Sequence, residues 1–324
     1  MYHIIVNPES RTGKGKNLWS MLVPVLEEQR VEYTAHFSER AGHIIDIIRD
    51  LCTETFSKDS DSILKLIVLG GDGTLNEALQ GITDFNRVEL GYVPTGSSND
   101  MARDLGLSKN PIEALKNVLN CKEPFKMDLG TIKYNNSSTE LSRQYGDILS
   151  DVRNFGVSTG IGYDASICEE ALSSPIKRLL NKMGLGKLIY LVIALKQLIS
   201  TKRKDARMVL DDERVIDMKN MLFIATMIHR FEGGGFMFGP DADCSDGVMD
   251  ICAVSDVSKL KVLLALPTAT KGKHFKYKGI EKYTARKINI ETAEPLWVHT
   301  DGEVSRKSNF ITITCEKQAV KMLK

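Results

Sequence analysis

The chain is predicted to be α/β, with a doubly wound domain followed by a β-rich, sandwich-like second domain. Three observations predict this. Strand-patterned and helix-patterned segments alternate up to about Cys121, the order of βαβ units with right-handed crossovers. From about Met127 the rhythm changes, and short apolar runs crowd together with fewer helical patterns between them. Finally, 324 residues exceed what one hydrophobic core usually serves, so a second core is expected.

In chain order, Tyr2 to Val6 reads as a short buried strand ending at Asn7-Pro8, and Ser10 to Lys16 as a glycine- and lysine-rich turn. Leu18, Trp19, Leu22, Val23 and Leu26 recur at helical spacing, with Pro24 expected to weaken the second half of that helix. Val31 to Phe37 is a second strand, and Ile44, Ile45, Ile47, Ile48 and Leu51 mark a second helix. Leu64 to Leu69 is apolar on both faces, as in a parallel sheet covered by helices, and Leu90 to Val93 is another strand. Beyond Met127 the strand-like segments are Val152 to Ser158, Ala206 to Leu210, Met221 to Met227, Val248 to Val254, Lys287 to Ile290 and Phe310 to Cys315.

Composition excludes several classes. With 43 Lys+Arg against 42 Asp+Glu, the net charge of +1 gives no global attraction to nucleic acid, and no nucleic-acid partner is expected. The six cysteines show no CxxC pair, which argues against a zinc site or a disulfide framework. The opening Met-Tyr-His-Ile-Ile-Val-Asn lacks secretory features, so a cytoplasmic protein is expected. Lys187 and Lys196 interrupt the longest apolar stretch, Leu185 to Ile199, leaving eight uncharged residues where a membrane span needs about 20.

The segment Leu69-Gly70-Gly71-Asp72-Gly73-Thr74-Leu75-Asn76-Glu77 carries the most chemistry. A buried strand runs into three glycines around one carboxylate, with a helix straight after. Glycines let backbone N–H groups approach a ligand, and the helix N-terminus favours a phosphate. Asp72 would repel phosphate unless a cation or proton intervenes, so it is expected to help hold Mg²⁺ or to accept a proton. Thr74 and Glu77 also have capping-box spacing, a purely structural role. A second strand-to-helix junction, Pro94-Thr95-Gly96-Ser97-Ser98-Asn99-Asp100, repeats the arrangement, with Ser97 and Asp100 as cap and partner. Two such turns on neighbouring parallel strands would build one crevice. Lys14 and Lys16 fit phosphate binding and a solvated basic turn equally.

These two turns resemble the catalytic domain of diacylglycerol kinases and sphingosine kinases, above all the soluble bacterial lipid kinases of that group. Asn7-Pro8, Ser38 to His43, Met127-Asp128-Leu129-Gly130, Gly233-Gly234-Gly235, Pro240-Asp241-Ala242, Ser245-Asp246-Gly247 and Asp301-Gly302-Glu303 match in the same order. Ser97 departs from the threonine of many members but keeps the hydroxyl. The resemblance implies a nucleotide-binding domain over 1–127, a lipid-binding β-rich domain over 128–309, and a last strand, 310–324, returning to the first. It implies ATP held by Asn7, Ser38, the Gly71–Glu77 loop and Ser97. It also implies Mg²⁺ held by Asp246 with main-chain oxygens near Asp243 and Val248, and Glu303 as proton acceptor. Asp72, Asp100 and Asp128 would link that region to the nucleotide through water and metal. Asp72 is the second candidate for the base, and Asp-Gly-Glu by itself reads as a hairpin turn.

The activity implied is an ATP-dependent lipid kinase that phosphorylates a hydroxyl of diacylglycerol or a related lipid, peripherally bound at a membrane surface. A homodimer is allowed. An NAD kinase shares the Gly-Gly-Asp-Gly-Thr turn and the two-domain plan, but Asn99-Asp100 and Asp301-Gly302-Glu303 fit the lipid kinases better. A non-catalytic nucleotide-binding regulator would need no base. For the membrane, the sequence offers the helix Leu185 to Ser200, followed by Lys202, Arg203 and Lys204, and a basic zone from Lys259 to Lys287. Met218, Met221, Met227, Met237 and Met249 with Phe231, Phe236 and Phe238 fit either an acyl-chain pocket or a core.

Overall fold

The computed structural model describes residues 1–13, 15–59, 61–141, 151–173, 186–201 and 203–324. Lys14, Lys202 and part of the helix expected over Leu185 to Ser200 lie outside the described residues. The chain divides into two units, Met1–Leu129 with Lys317–Lys324, and Gly130–Glu316.

In the first unit β1 (Tyr2–Val6), β2 (Tyr33–Phe37), β3 (Leu64–Gly70) and β4 (Val88–Pro94) are parallel, in the order β2-β1-β3-β4. In β1, β3 and β4 alternate residues are buried on both faces, whereas β2, at the end of the sheet, has none fully buried. Ile4, Val6, Ile67, Leu69 and Val93 pack with α2 (Gly15–Glu28) and α6 (Pro111–Asn120), and Ile5, Leu66 and Val68 are equally buried on the other face. α3 (His43–Lys58) and α4 (Asp72–Gly81) pack closely; a side chain at Gly81 would meet Ile45 O at 2.8 Å. The expected glycine-lysine turn is instead largely helical, with α1 at Ser10–Gly13 and α2 beginning at Gly15. A Cβ at residue 15 would lie 2.1 Å from Asn7 O, so only glycine lets the helix start there. α2 runs through Pro24 to Glu28 because Leu22, Val25 and Leu26 bury against the sheet, offsetting a proline cost of about 3 kcal/mol. A short α5 (Asp100–Asp104) follows β4.

The second unit is mostly antiparallel. β5 (Phe125–Leu141) enters it and pairs with β6 (Val152–Phe155). β7 (Ser158–Gly162), α7 (Tyr163–Ser173), α8 (Gly186–Ser200), β8 (Lys204–Leu210), β9 (Arg214–Met227), β10 (Met249–Ser255), α9 (Lys259–Ala269), β11 (Ile280–Ala285), β12 (Lys287–Thr300) and β13 (Glu303–Leu323) follow. β9 and β12 each pair with β7 at one end and with β8 at the other, so both long strands bend between layers of a sandwich. Met208, Met218, Met221, Ile224, Met249, Ile288, Ile290, Val298 and Ile313 form its core. The methionines at 218, 221, 227 and 249 are thus core residues, not an open pocket. β13 is continuous; its residues 317–323 belong to the first unit, where Lys321–Leu323 pairs parallel with β4, while the segment 310–316 stays in the second.

Candidate functional site

In the first unit Asn7, Ser38, Gly71 and Thr95 all follow the C-terminal ends of parallel strands. Ser38 N donates to Val6 O, Asn7 N to Leu69 O, and Thr95 N to Gly70 O at 3.0, 3.3 and 2.7 Å. Parallel register therefore places the four turns along one sheet edge, where open α/β sheets bind ligands. The two glycine turns touch backbone to backbone: a Cβ on Gly96 would lie 2.6 Å from Gly71 Cα. Asn99 Nδ2 donates to Gly96 O (3.0 Å), and Asn99 N donates to Asp72 Oδ2 (2.8 Å), tying the second turn to the carboxylate of the first. Asn99 holds the left-handed backbone (φ 49°) that asparagine tolerates.

The expected capping boxes do not form. α4 begins at Asp72 with Gly71 as its cap, so Thr74 sits inside the first turn. Its hydroxyl accepts from Asn7 Nδ2 (3.0 Å), and Glu77 Oε1 accepts from Gly42 N (3.0 Å). Both side chains brace the neighbouring turns instead. Ser97 is exposed and does not cap α5, whose cap position is Asn99. Gly71, Asp72 and Gly73 are half-buried at the edge, whereas Leu75 and Asn76 point into the core, at 2% and 0% exposure. Tyr92 was not singled out in the sequence. Its hydroxyl contacts Asn99 Oδ1 at 3.4 Å, and burial, then the charges of Asp72 and Asp100, push its pKa well up. It therefore stays a protonated donor beside them. Asp100 is buried and paired with Arg103 at 2.9 Å. Asp128, fully buried on β5, accepts from Gln318 N at 2.7 Å.

In the second unit Asp301-Gly302 is a two-residue hairpin turn between β12 and β13, with φ of 52° and 83°. Glu303, half-buried, opens β13. The Asp301 carboxylate accepts three backbone N–H groups, from Gly156 (3.0 Å), Val157 (2.8 Å) and Ser158 (3.0 Å), and Asp301 N donates to Ser158 O (2.8 Å). Gly302 N donates to His299 Nδ1 at 3.2 Å, which places the ring's proton on Nε2. That nitrogen lies 3.3 Å from Asp164 Oδ2 and 3.2 Å from Glu232 Oε1. Two carboxylates face this nitrogen, so the cluster holds on to a proton: burial pushes the Asp164 carboxyl up, and, against burial, Glu232 and Asp164 push the His299 imidazole well up.

Sequence reasoning missed this cluster because its members lie far apart in the chain. Two glycine signals were legible. A Cβ at Gly160 would fall 1.9 Å from Asp164 Oδ2. Gly233, Gly234 and Gly235 all have positive φ and form the tight loop closed by the Glu232–Phe236 bridge.

Oxygen donors for a hard cation also lie in the turn at Asp243–Val248. Asp246 Oδ1 accepts from Val248 N (2.9 Å), Asp243 O accepts from Asp246 N (3.4 Å), and Asp243 and Asp246 are exposed. A carboxylate and main-chain oxygens beside water fit Mg²⁺, which keeps several of its waters. Among the described residues, Asp164, Glu232 and His299 also bring one ligand atom each to within 4.8 Å of the others. The Nε2 proton argues against metal ligation there.

Residues 1–132 match the diacylglycerol kinase catalytic domain, and residues 158–324 match the YegS C-terminal NAD kinase beta sandwich-like domain. The chain is 27% identical over 311 residues to YtlR of Bacillus subtilis (strain 168), covering 95% of each. It is 28% identical over 281 residues to a diacylglycerol kinase of Mycobacterium tuberculosis, covering 83% of this chain and 81% of that one. A solved structure from Bacillus anthracis, described as a diacylglycerol kinase, has a TM-score of 0.67 at 20% identity, covering 99% of this chain and 96% of that one. An NAD kinase from Archaeoglobus fulgidus, solved with ATP, has a TM-score of 0.50 at 14% identity, covering 100% and 94%. At these identities the structural likenesses show the fold alone.

Proposed function

We propose that this chain, which belongs to the diacylglycerol kinase catalytic-domain family, transfers the γ-phosphoryl group of ATP to the free hydroxyl of diacylglycerol, giving phosphatidic acid. The observation that carries this reading is the joined pair of glycine turns, Gly70–Thr74 and Thr95–Asn99, held by the Asp72–Asn99 hydrogen bond at the edge of a parallel sheet. Their backbone N–H groups, with Asn7 and Ser38 on the neighbouring strand ends, would bind the nucleotide phosphates. Ser97, exposed on the second turn, would contact the nucleotide through its hydroxyl. Asp72 would hold the phosphates' counter-ion. Mg²⁺, when bound, neutralises phosphate charge, and Asp246 with the main-chain oxygens of Asp243 and Val248 would hold a further ion in the second unit.

Glu303 would accept the proton of the attacking hydroxyl as the O–P bond forms and ADP leaves, then release it to water. Rigid turns favour this role, because a base must be positioned before it is useful. The protein would act peripherally, from the cytoplasm; among the described residues no helix is long and apolar enough to cross a membrane.

The test uses labelled ATP, Mg²⁺ and mixed micelles of diacylglycerol, with NAD as a parallel acceptor. Label in phosphatidic acid is the expected result. Label in NADP alone would overturn the lipid assignment. Glu303→Gln should retain its melting temperature and its stabilisation by ATP while losing at least about 100-fold in transfer. Near-normal turnover would remove Glu303 as base and leave Asp72.

A further inference from the structure

α9 is apolar on the side where a surface helix is ordinarily polar. At about 100° per residue, Val262, Ala265 and Ala269 fall on one side, and all three are buried. Leu260, Leu263 and Leu264 fall on the opposite side and are 67%, 38% and 56% exposed. By the same spacing Lys259 and Lys261 flank that outer face, one on each side. The apolar surface continues beyond the helix. Lys259 Nζ donates to Ile199 O at the end of α8, and Ile199 is itself 74% exposed. Single exposed leucines need no explanation, but three on one helical face beside an isoleucine form a patch that does.

Charge decides what the patch meets. From Val257 to Ile280 there is no Asp or Glu, while Lys259, Lys261, Lys271, Lys273, Lys276 and Lys278 are all exposed. In a chain of net charge +1, this is a strong local excess. Leucines between flanking lysines match an interface whose apolar layer lies beneath negative headgroups. A protein surface offering both a greasy centre and a continuous acidic rim would be a far more particular requirement.

We infer that the outer face of α9, with Ile199, docks the protein on an anionic lipid bilayer. Leu260, Leu263, Leu264 and Ile199 enter the boundary between headgroups and acyl chains, and the lysines lie against the headgroups. The inference deepens the lipid-kinase reading and rests on it for the relevance of a bilayer, but docking itself requires no catalysis.

The experiment is flotation of the full-length protein, without ATP, on vesicles of phosphatidylcholine alone and of phosphatidylcholine with about one-third phosphatidylglycerol. Binding to the anionic vesicles is expected, weakened in 0.5 M NaCl as exposed charges are screened. The Leu260→Ser/Leu263→Ser/Leu264→Ser variant should bind at least about tenfold more weakly, since even one buried leucine is worth about that factor. Its melting temperature and its transfer to a monomeric short-chain diacylglycerol should be unchanged. In case the triple variant folds poorly, Leu264→Trp provides a second readout, its emission shifting to the blue on anionic vesicles.

Equal binding by wild type and triple variant, or no shift from the tryptophan, overturns the inference. So does a dimer that the triple variant dissolves, because the face would then belong to a second copy. Vesicle binding without lipid phosphorylation would leave the docking face standing and remove the kinase reading, so the two failures are distinguishable.

Discussion

Removing the Asp301 carboxylate should loosen the turn that carries Glu303, and the loss can be worked from its contacts. Three backbone N–H groups point at this one side chain, two of them at Oδ1. In Asp301→Ala all three lose their acceptor. A buried donor left without one costs roughly 1–3 kcal/mol, but Asp301 is half-buried and water can reach part of the site, so about 3 kcal/mol is a fair total. Alanine at φ 52° adds about 1 kcal/mol, because the left-handed region crowds its Cβ. Asp301→Ala should therefore lose about 4 kcal/mol of stability. Asparagine tolerates the same backbone and keeps one oxygen for Val157 and Ser158, so Asp301→Asn should lose only about 1 kcal/mol. Urea unfolding followed by tryptophan emission, to which Trp297, four residues before Asp301 in β12, contributes beside Trp19, measures both. If Glu303 is the base, Asp301→Asn should lower kcat more than KM, because the substrate still binds while the proton acceptor is less well placed. Equal stability of the alanine and asparagine variants would refute the argument, since it would mean that the three hydrogen bonds do not hold the turn.

Gly96→Ala would place a Cβ 2.6 Å from Gly71 Cα and equally close to Asn99 Oδ1, forcing the two turns apart. Overpacking of this kind costs about 1–3 kcal/mol, and the rise in melting temperature with ATP should disappear; an unchanged rise would count against a nucleotide at this edge. His274 bears on pH dependence. Its ring is 2% exposed, and burial lowers its pKa from 6.5 to about 4. The unfolded chain therefore binds the proton more readily, so this contribution is complete above about pH 6.5 and fades as pH falls toward about 4. The loss should reach about 2–3 kcal/mol, and His274→Phe should remove it. A variant with the wild-type slope between pH 7 and 4.5 would place the titrating group elsewhere.

What could be read in advance followed the range over which each signal acts. The parallel strands were legible because Leu64 to Leu69 is apolar on both faces, a demand that covering helices impose on each residue separately. β5 and β11 were not legible. Ile280–Ala285 has buried residues only at its two ends and owes its place to pairing with β10, a partner distant in sequence. The glycine turns were legible as turns, but the spacing of Thr74 with Glu77 misled, because a capping box looks the same whether the hydroxyl turns back to its own helix or across to Asn7. The cluster around His299 was the least visible. Asp164, Glu232 and His299 become neighbours only when α7, a glycine loop and β12 converge, so no local spacing could announce them. What local sequence did record was the space they need, at Gly160 and at Gly233-Gly234-Gly235. Gly160, inside β7 with no turn to explain it, therefore marks where distant segments meet, since a side chain there would fall on Asp164 and His299.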